Sequence, residues 1–196
     1  LRFLGLYRGA LILSFHGADL NAAERRGRVE RLLWRFVLHN ATAVVACSNA
    51  LAGRARQCFG RDVGQVHTIH NGLDVDAFLK LGNHESRVLP RLAHRPYIVS
   101  VAAFDRRKGL DVLVSAFATL KRVSASLALV LVGSQGIAEA SLIELVGELE
   151  IVDDVFFYRG IQHEQIGAFL RSAVAFCLPS RDEAFGIAIL EAGAYR

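Results

Sequence analysis

Residues 97–117 read YIVSVAAFDRRKGLDVLVSAF. Tyr97–Phe104 is an apolar run without strict alternation, the pattern of a parallel strand buried on both faces. A basic turn, Arg106-Arg107-Lys108-Gly109, follows it. Leu110–Arg122 then carries apolar residues at helical spacing. The same unit recurs downstream. Strands are expected at Tyr97–Phe104, Leu127–Val132, Val155–Tyr158 and Val174–Leu178. Helices are expected at Leu110–Arg122, Ala138–Leu149 and Gln165–Ser172, with one more starting near Phe185. Strand starts fall 30, 28 and 19 residues apart, and the first two intervals match βαβ units with right-handed crossovers. The second half is therefore α/β, with an open, doubly wound parallel sheet.

Toward the N-terminus the same alternation continues with shorter elements. Ala10–Phe15, Ala43–Cys47 and Val66–Ile69 read as strands. A helix from Asn21 or Ala22 to about Leu38 places Leu32, Leu33, Phe36 and Val37 on one face. Ser48 caps a second helix that runs to about Phe59, where Gly60 stops it. Phe78–Arg95 changes character: it is polar and holds Gly82, Asn83 and Pro90, and Pro96 follows it. It reads as a linker. The expected organisation is a domain over 1–77, a linker over 78–95 and a second domain over 96–196.

The chain has 196 residues, 53% hydrophobic and 21% charged, which argues against disorder. It begins at Leu1, contains no Met, and stops at Arg196 inside an expected helix, so the reading is a piece of a longer protein. No apolar run approaches the roughly 18 residues of a membrane span, and no secretory cleavage site follows the first apolar stretch. The three cysteines form no Cys-x-x-Cys pair, which suits free thiols in a reducing compartment. Residues 1–98 hold 14 basic against 7 acidic residues, whereas 99–196 hold 9 against 12. A basic first half suits an anionic partner. Arginine supplies 20 of the 23 basic residues, however, so compositional bias accounts for the same numbers.

Ligands of open α/β sheets bind at the carboxyl ends of the strands. Those ends are Ala102–Gly109, Gly133–Gly136, Gly160-Ile161 and Pro179–Gly186. Lys108 is one of only three lysines. Its ammonium is a compact charge for a phosphate, and Gly109 opens a helix whose N-terminus favours anions. A solvated basic loop is the alternative reading of the same residues. Glu183 and Glu191 flank seven residues. Were the stretch wholly helical, they would stand roughly 12 Å apart along the axis, which suits two ends of one extended ligand. His16-Gly17 ends a strand of the first half, where a His faces a ligand or serves structure. Asp74-Val-Asp76 has metal-holding spacing but follows a turn, so capping is the simpler role. His67-x-x-His70 alternates across a strand with no third ligand, and no metal site is expected. No phosphate-binding Gly-rich motif and no nucleic-acid motif is present.

In order, SFHGADL, VVACSNALAGRA, VHTIHNGLDVDAF, the 97–117 stretch, LALVLVGSQG, DVFFYRGI and CLPSRDEAFGIAILEAGA resemble the signature of the retaining glycosyltransferases of family four. That family has the GT-B fold, two Rossmann-like doubly wound domains facing a cleft, and both would be incomplete here. The resemblance implies a donor that is a nucleotide diphosphate sugar of UDP or GDP type, with no metal or cofactor required. It implies His16, Lys108 and Glu183 as catalytic residues. Lys108 would neutralise the diphosphate, Glu183 would contact donor-sugar hydroxyls, and His16 would reach the sugar from the first domain. Glu191 would hold the ribose, and the backbone near Gly160 and Ile161 would read the base. Phe185, Gly186 and Ile187 would bind sugar and diphosphate through their backbone. Ala102, Ala103, Arg107, Gly133 and Ala184 complete the implied donor site. The family's Gly-Arg after the first donor-domain strand is Ala102-Ala103 here. Either Arg106 or Arg107 stands in, or the donor is held less tightly. The usual Met of the last motif is Gly193, and by the resemblance the Gly-rich loop of the first domain would precede this sequence.

The implied acceptor is a carbohydrate or a lipid-linked sugar. With Arg25, Arg26, Arg28, Arg31 and Arg35, the first helix suits peripheral contact with an anionic membrane. The expected location is the cytoplasm, at the inner face of that membrane. Nucleic acid is not an expected partner. A non-catalytic nucleotide-sugar-binding module and another GT-B enzyme, such as a sugar-nucleotide epimerase, are the rival readings. This stretch alone is expected to be inactive.

Overall fold

The computed structural model describes residues 9–17, 19–20, 27–82, 92 and 95–195. It divides into two compact units, 1–72 and 73–196.

Among the described residues, the first unit holds three parallel strands, β1 (Ile12–Phe15), β2 (Ala43–Ala46) and β3 (Val66–Thr68), in the order β1-β2-β3. Helix α1 (Arg28–His39) joins the first pair and α2 (Asn49–Phe59) the second. Ser48 caps α2 by accepting the Leu51 N–H at 3.1 Å, and Gly60 ends it, as the sequence predicts. Phe15, Trp34 and Phe59 form an aromatic knot with ring centroids 5.8–6.1 Å apart. Trp34 thereby takes the inward side of α1. The stripe read from helical spacing is correspondingly not the core face: Leu32, Leu33 and Phe36 are 62%, 60% and 50% exposed. Residues 21–26, the expected start of that helix, lie outside the described residues.

The second unit contains α3 (Val75–Leu81), β4 (Tyr97–Val101), α4 (Leu110–Lys121), β5 (Ala128–Gly133), α5 (Glu139–Glu148), β6 (Val155–Arg159), α6 (His163–Ser172), β7 (Ala175–Phe176) and α7 (Ile187–Gly193). All strands are parallel, in the order β6-β5-β4-β7. Ala128 to Val132 are buried in succession, because β5 is covered on both faces. Phe104, Leu113, Phe117 and Leu142 pack on one face of the sheet. Phe78, Tyr97, Phe169 and Ala192 pack on the other.

Helix α3 is the element that the sequence reading missed. It crosses the expected border at 77/78 and belongs to the second unit. Asp74 caps it by accepting the Ala77 N–H at 3.0 Å, so the Asp-x-Asp pair serves a helix start. Phe78, read as the start of a linker, is buried in the second core. Arg95, read as the linker's end, is anchored: it donates to the carbonyls of Ser126, Leu127 and Asp153 and pairs with Asp154. The remainder of the expected linker, 83–91 and 93–94, lies outside the described residues.

The strand order makes a topological switch. From β4 the chain runs to β5 and β6 on one side, then returns to β7 on the other side of β4. The crevice of such a sheet opens where the order reverses. Here that is between the carboxyl ends of β4 and β7, which places the Ala102–Gly109 and Cys177–Gly186 loops side by side.

Candidate functional site

Those two loops are fastened together. After β4 a single 3-10 turn, Arg106–Lys108, is capped by Asp105. Gly109 then takes a left-handed conformation, φ +65°, and starts α4. A methyl group on Gly109 would collide with the Pro179 carbonyl oxygen of the β7–α7 loop, so only glycine allows this approach. The Arg181 N–H donates to the Arg107 carbonyl at 2.7 Å. The Arg181 guanidinium forks onto both Asp111 oxygens at 2.7 Å and also reaches the Arg106 carbonyl at 2.8 Å. Its hydrogen bonds hold the Asp111 carboxyl below the usual aspartate range.

Lys108 and Glu183 meet on this stitched platform. The ammonium donates to Glu183 Oε2 at 2.7 Å, and the Ser180 hydroxyl donates to the same oxygen at 3.1 Å. Their side chains are 24% and 26% exposed, so the pair is shielded without being sealed. Arg107 is partly engaged elsewhere: its Nε lies 3.1 Å from Asp105 Oδ1. The Arg107 backbone N–H and guanidinium hold Asp105 below its ordinary value. Arg106 lines a neighbouring cavity of about 450 Å³ with Leu110, Asp111, Leu142 and Arg181. Neither Lys108 nor Glu183 lines that cavity. Of the two arginines considered as stand-ins at Ala102-Ala103, Arg106 thus lies toward the α4–α5 side.

Glu183 is not on a helix. Gly186 adopts φ +82°, and α7 begins only at Ile187. The wholly helical geometry considered for the Glu pair therefore does not occur: Glu183 sits in the loop and Glu191 on α7. Glu191 is buried, and its Oε1 lies 2.7 Å from Nε2 of His163, the first residue of α6. His163 was not singled out from the sequence, and neither was the Arg181–Asp111 fork. These pairs join residues 28 and 70 positions apart, which no local spacing signals.

The other expected residues are distributed as follows. Ala102 and Ala103 follow β4, with Ala103 exposed. Gly133 ends β5 in register with Arg159. Ile161 packs against the core that includes Tyr97 and Phe169. Ala184, Phe185, Gly186 and Ile187 connect Glu183 to α7, whose first turn leaves backbone N–H groups without intrahelical acceptors. His16 belongs to the first unit. It follows β1, is exposed, and its ring lies 3.0 Å from the Ser14 hydroxyl. His67 and His70 do not converge: the His70 Nδ1 lies 3.2 Å from the Cys47 carbonyl oxygen, and His67 is exposed.

Known proteins share the family signature and the fold of this chain. The family model described as Glycosyl transferases group 1 matches residues 84–196, and that described as Glycosyltransferase Family 4 matches residues 1–77. A GDP-mannose-dependent alpha-(1-6)-phosphatidylinositol monomannoside mannosyltransferase of Mycolicibacterium smegmatis is 30% identical over 193 residues, covering 94% of this chain and 50% of that protein. Among solved structures, a sucrose-phosphate synthase from Thermosynechococcus elongatus superposes with a TM-score of 0.77 at 26% identity, covering 99% of this chain and 50% of the other. HepE from Anabaena, solved with UDP-glucose, gives 0.74 at 20% identity over 95% of this chain and 51% of its own, a likeness of fold alone. The chain thus spans about half the length of the relatives it matches.

Proposed function

Because the chain belongs to the group 1, family 4 glycosyl transferases, we propose that the protein transfers a sugar from a nucleotide diphosphate sugar to an acceptor hydroxyl, with retention at the anomeric carbon. The observation that carries this reading is the Lys108–Glu183 contact at the crevice between β4 and β7. It offers one positive and one negative pole, side by side, where an α/β sheet binds its ligand. In this reading the Lys108 ammonium takes the diphosphate, and the Glu183 carboxylate accepts from donor-sugar hydroxyls. Glu191 holds the ribose, and the backbone at Ile161 reads the base.

The transition state is oxocarbenium-like, and negative charge builds on the departing diphosphate. A cation already fixed at that position stabilises the charge without reorganising. The leaving phosphate takes the acceptor's proton as the new glycosidic bond forms on the same face. No metal or cofactor enters this reading. The mycobacterial relative is named for GDP-mannose and the Anabaena structure for UDP-glucose, so the donor is proposed to be of GDP or UDP type. The 196 residues alone are proposed not to turn over, since they span about half the length of such relatives.

The exposed apolar stripe of α1 supports a lipid-linked acceptor. Val29, Leu32, Leu33 and Phe36 are all half or more exposed, and Arg35 stands among them on the exposed surface. Apolar residues with flanking arginine suit an anionic membrane surface, on the cytoplasmic side in this reading. The relative from Mycolicibacterium smegmatis is named for a phosphatidylinositol-based acceptor. Replacing Leu32, Leu33 and Phe36 together by Ser should abolish flotation with phosphatidylglycerol vesicles; unchanged flotation would remove this part.

The test of the whole proposal is a screen of the full-length protein against UDP- and GDP-sugars, reading release of the nucleoside diphosphate. Consumption of one of them, dependent on added acceptor, is expected. Donor binding without turnover would favour a non-catalytic binding module instead.

A further inference from the structure

His163 stands directly after Gly160-Ile161-Gln162 and opens α6. Its Nε2 lies 2.7 Å from Glu191 Oε1, and its ring packs on Phe78 of α3 with centroids 5.4 Å apart. The Glu191 side chain is 6% exposed and that of His163 is 53% exposed. An ionised carboxylate only accepts, so the hydrogen belongs on Nε2 and the imidazole is the donor. A buried carboxylate without a donor is costly. Among the described residues, His163 is the hydrogen-bond partner that the Glu191 carboxylate has. One hydrogen bond therefore ties the start of α6, directly after the β6–α6 loop, to the carboxylate on α7, while Phe78 backs the ring from a third element.

We propose that His163 is a positioning residue of the donor site: it orients the Glu191 carboxylate toward the ribose hydroxyls and couples it to the loop that faces the base. The inference rests on the reading of Glu191 as the ribose-holding group. His163 acts through Glu191 and touches no reacting atom. Its removal leaves the buried carboxylate without that donor and lowers stability as well, so the readout that marks a positioning role is ribose recognition.

The test is calorimetric titration of the full-length protein with UDP and GDP, and with their 2′,3′-dideoxyribose analogues. His163→Ala should weaken binding of the preferred nucleotide roughly tenfold, while changing affinity for its dideoxy analogue less than roughly twofold. His163→Gln, which keeps an N–H within reach of the carboxylate, should recover most of the loss. In transfer assays His163→Ala should raise the donor KM and leave kcat nearly unchanged. Equal weakening of both ligands, or of neither, overturns the inference while the donor site stands. If Glu191→Gln leaves nucleotide affinity unchanged, or if neither nucleotide binds, the ribose reading itself falls, and the inference with it.

Discussion

Lys108 Nζ and Glu183 Oε2 lie 2.7 Å apart although 75 positions separate them in the chain. The sheet order β6-β5-β4-β7 brings the loop after β4 beside the loop after β7. Gly109 then lets the loops close to backbone contact, and Arg181 fastens them through Asp111 and two carbonyls. The charge pair is thus the product of topology first and side-chain chemistry second.

Replacing either partner should cost transfer activity. Lys108→Ala and Glu183→Gln in the full-length protein are each expected to lower kcat by about a hundredfold or more. Because the two groups touch, the double variant should lose less than the product of the single losses. Near-normal rates in either single variant would remove that residue from the mechanism.

Gly109→Ala tests the platform rather than the charges. It combines a left-handed backbone, φ +65°, with a collision against the Pro179 carbonyl. A loss of about 1–3 kcal/mol in denaturant unfolding is expected for such strain. Nucleotide affinity should fall with it. A variant as stable as the parent would show that the loops do not need this approach.

Acid stability should depend on Asp154. Burial alone would raise its pKa, but hydrogen bonds and charge from Lys121 and Arg95 outweigh burial and hold it below the ordinary 3.8. A depressed folded value adds stability that is complete above the ordinary pKa and is lost as pH falls through the folded one. Urea midpoints measured from pH 6 downward should therefore drop below about pH 4, the ordinary aspartate region. In Asp154→Asn this part of the slope should be shallower. An unchanged slope would contradict the assignment.

Tyr97 sets the opposite limit. Burial pushes its hydroxyl up to about 12 from 10.0, and the hydroxyl donates to the Phe169 carbonyl at 2.9 Å. A raised folded value adds stability that is complete below the ordinary pKa and is lost as pH rises through the folded one. Tyr97→Phe should cost about 1 kcal/mol at neutral pH. It should also remove part of the fall in stability between pH 10 and 12. Parallel alkaline curves for the two proteins would count against this.

The sheet of the second unit was legible because β4, β5 and β6 are apolar runs with no alternation, the pattern of parallel strands packed on both faces, although β6, at the end of the sheet order, is only partly buried. The apolar pattern of β7 spans Val174–Leu178, but the strand pairs only through Ala175 and Phe176, at the end of the sheet order. Helix α3 leaves no periodic signal in the sequence, because it has seven residues and buries Phe78 alone. Lys108, Glu183 and Glu191 were visible as motif positions. His163, the partner of Glu191, was not, since that pairing joins residues 28 positions apart, whereas Ser180 reaches Glu183 within one loop and carries no motif of its own.

The most direct test is equilibrium binding of UDP and GDP, and of uridine and guanosine, to the full-length protein and its Lys108→Ala variant. If Lys108 holds the diphosphate in the β4–β7 crevice, the variant should bind the preferred diphosphate at least roughly tenfold more weakly, with nucleoside affinity unchanged. Equal affinity of parent and variant for the diphosphate would contradict the placement of the donor at the Lys108–Glu183 pair.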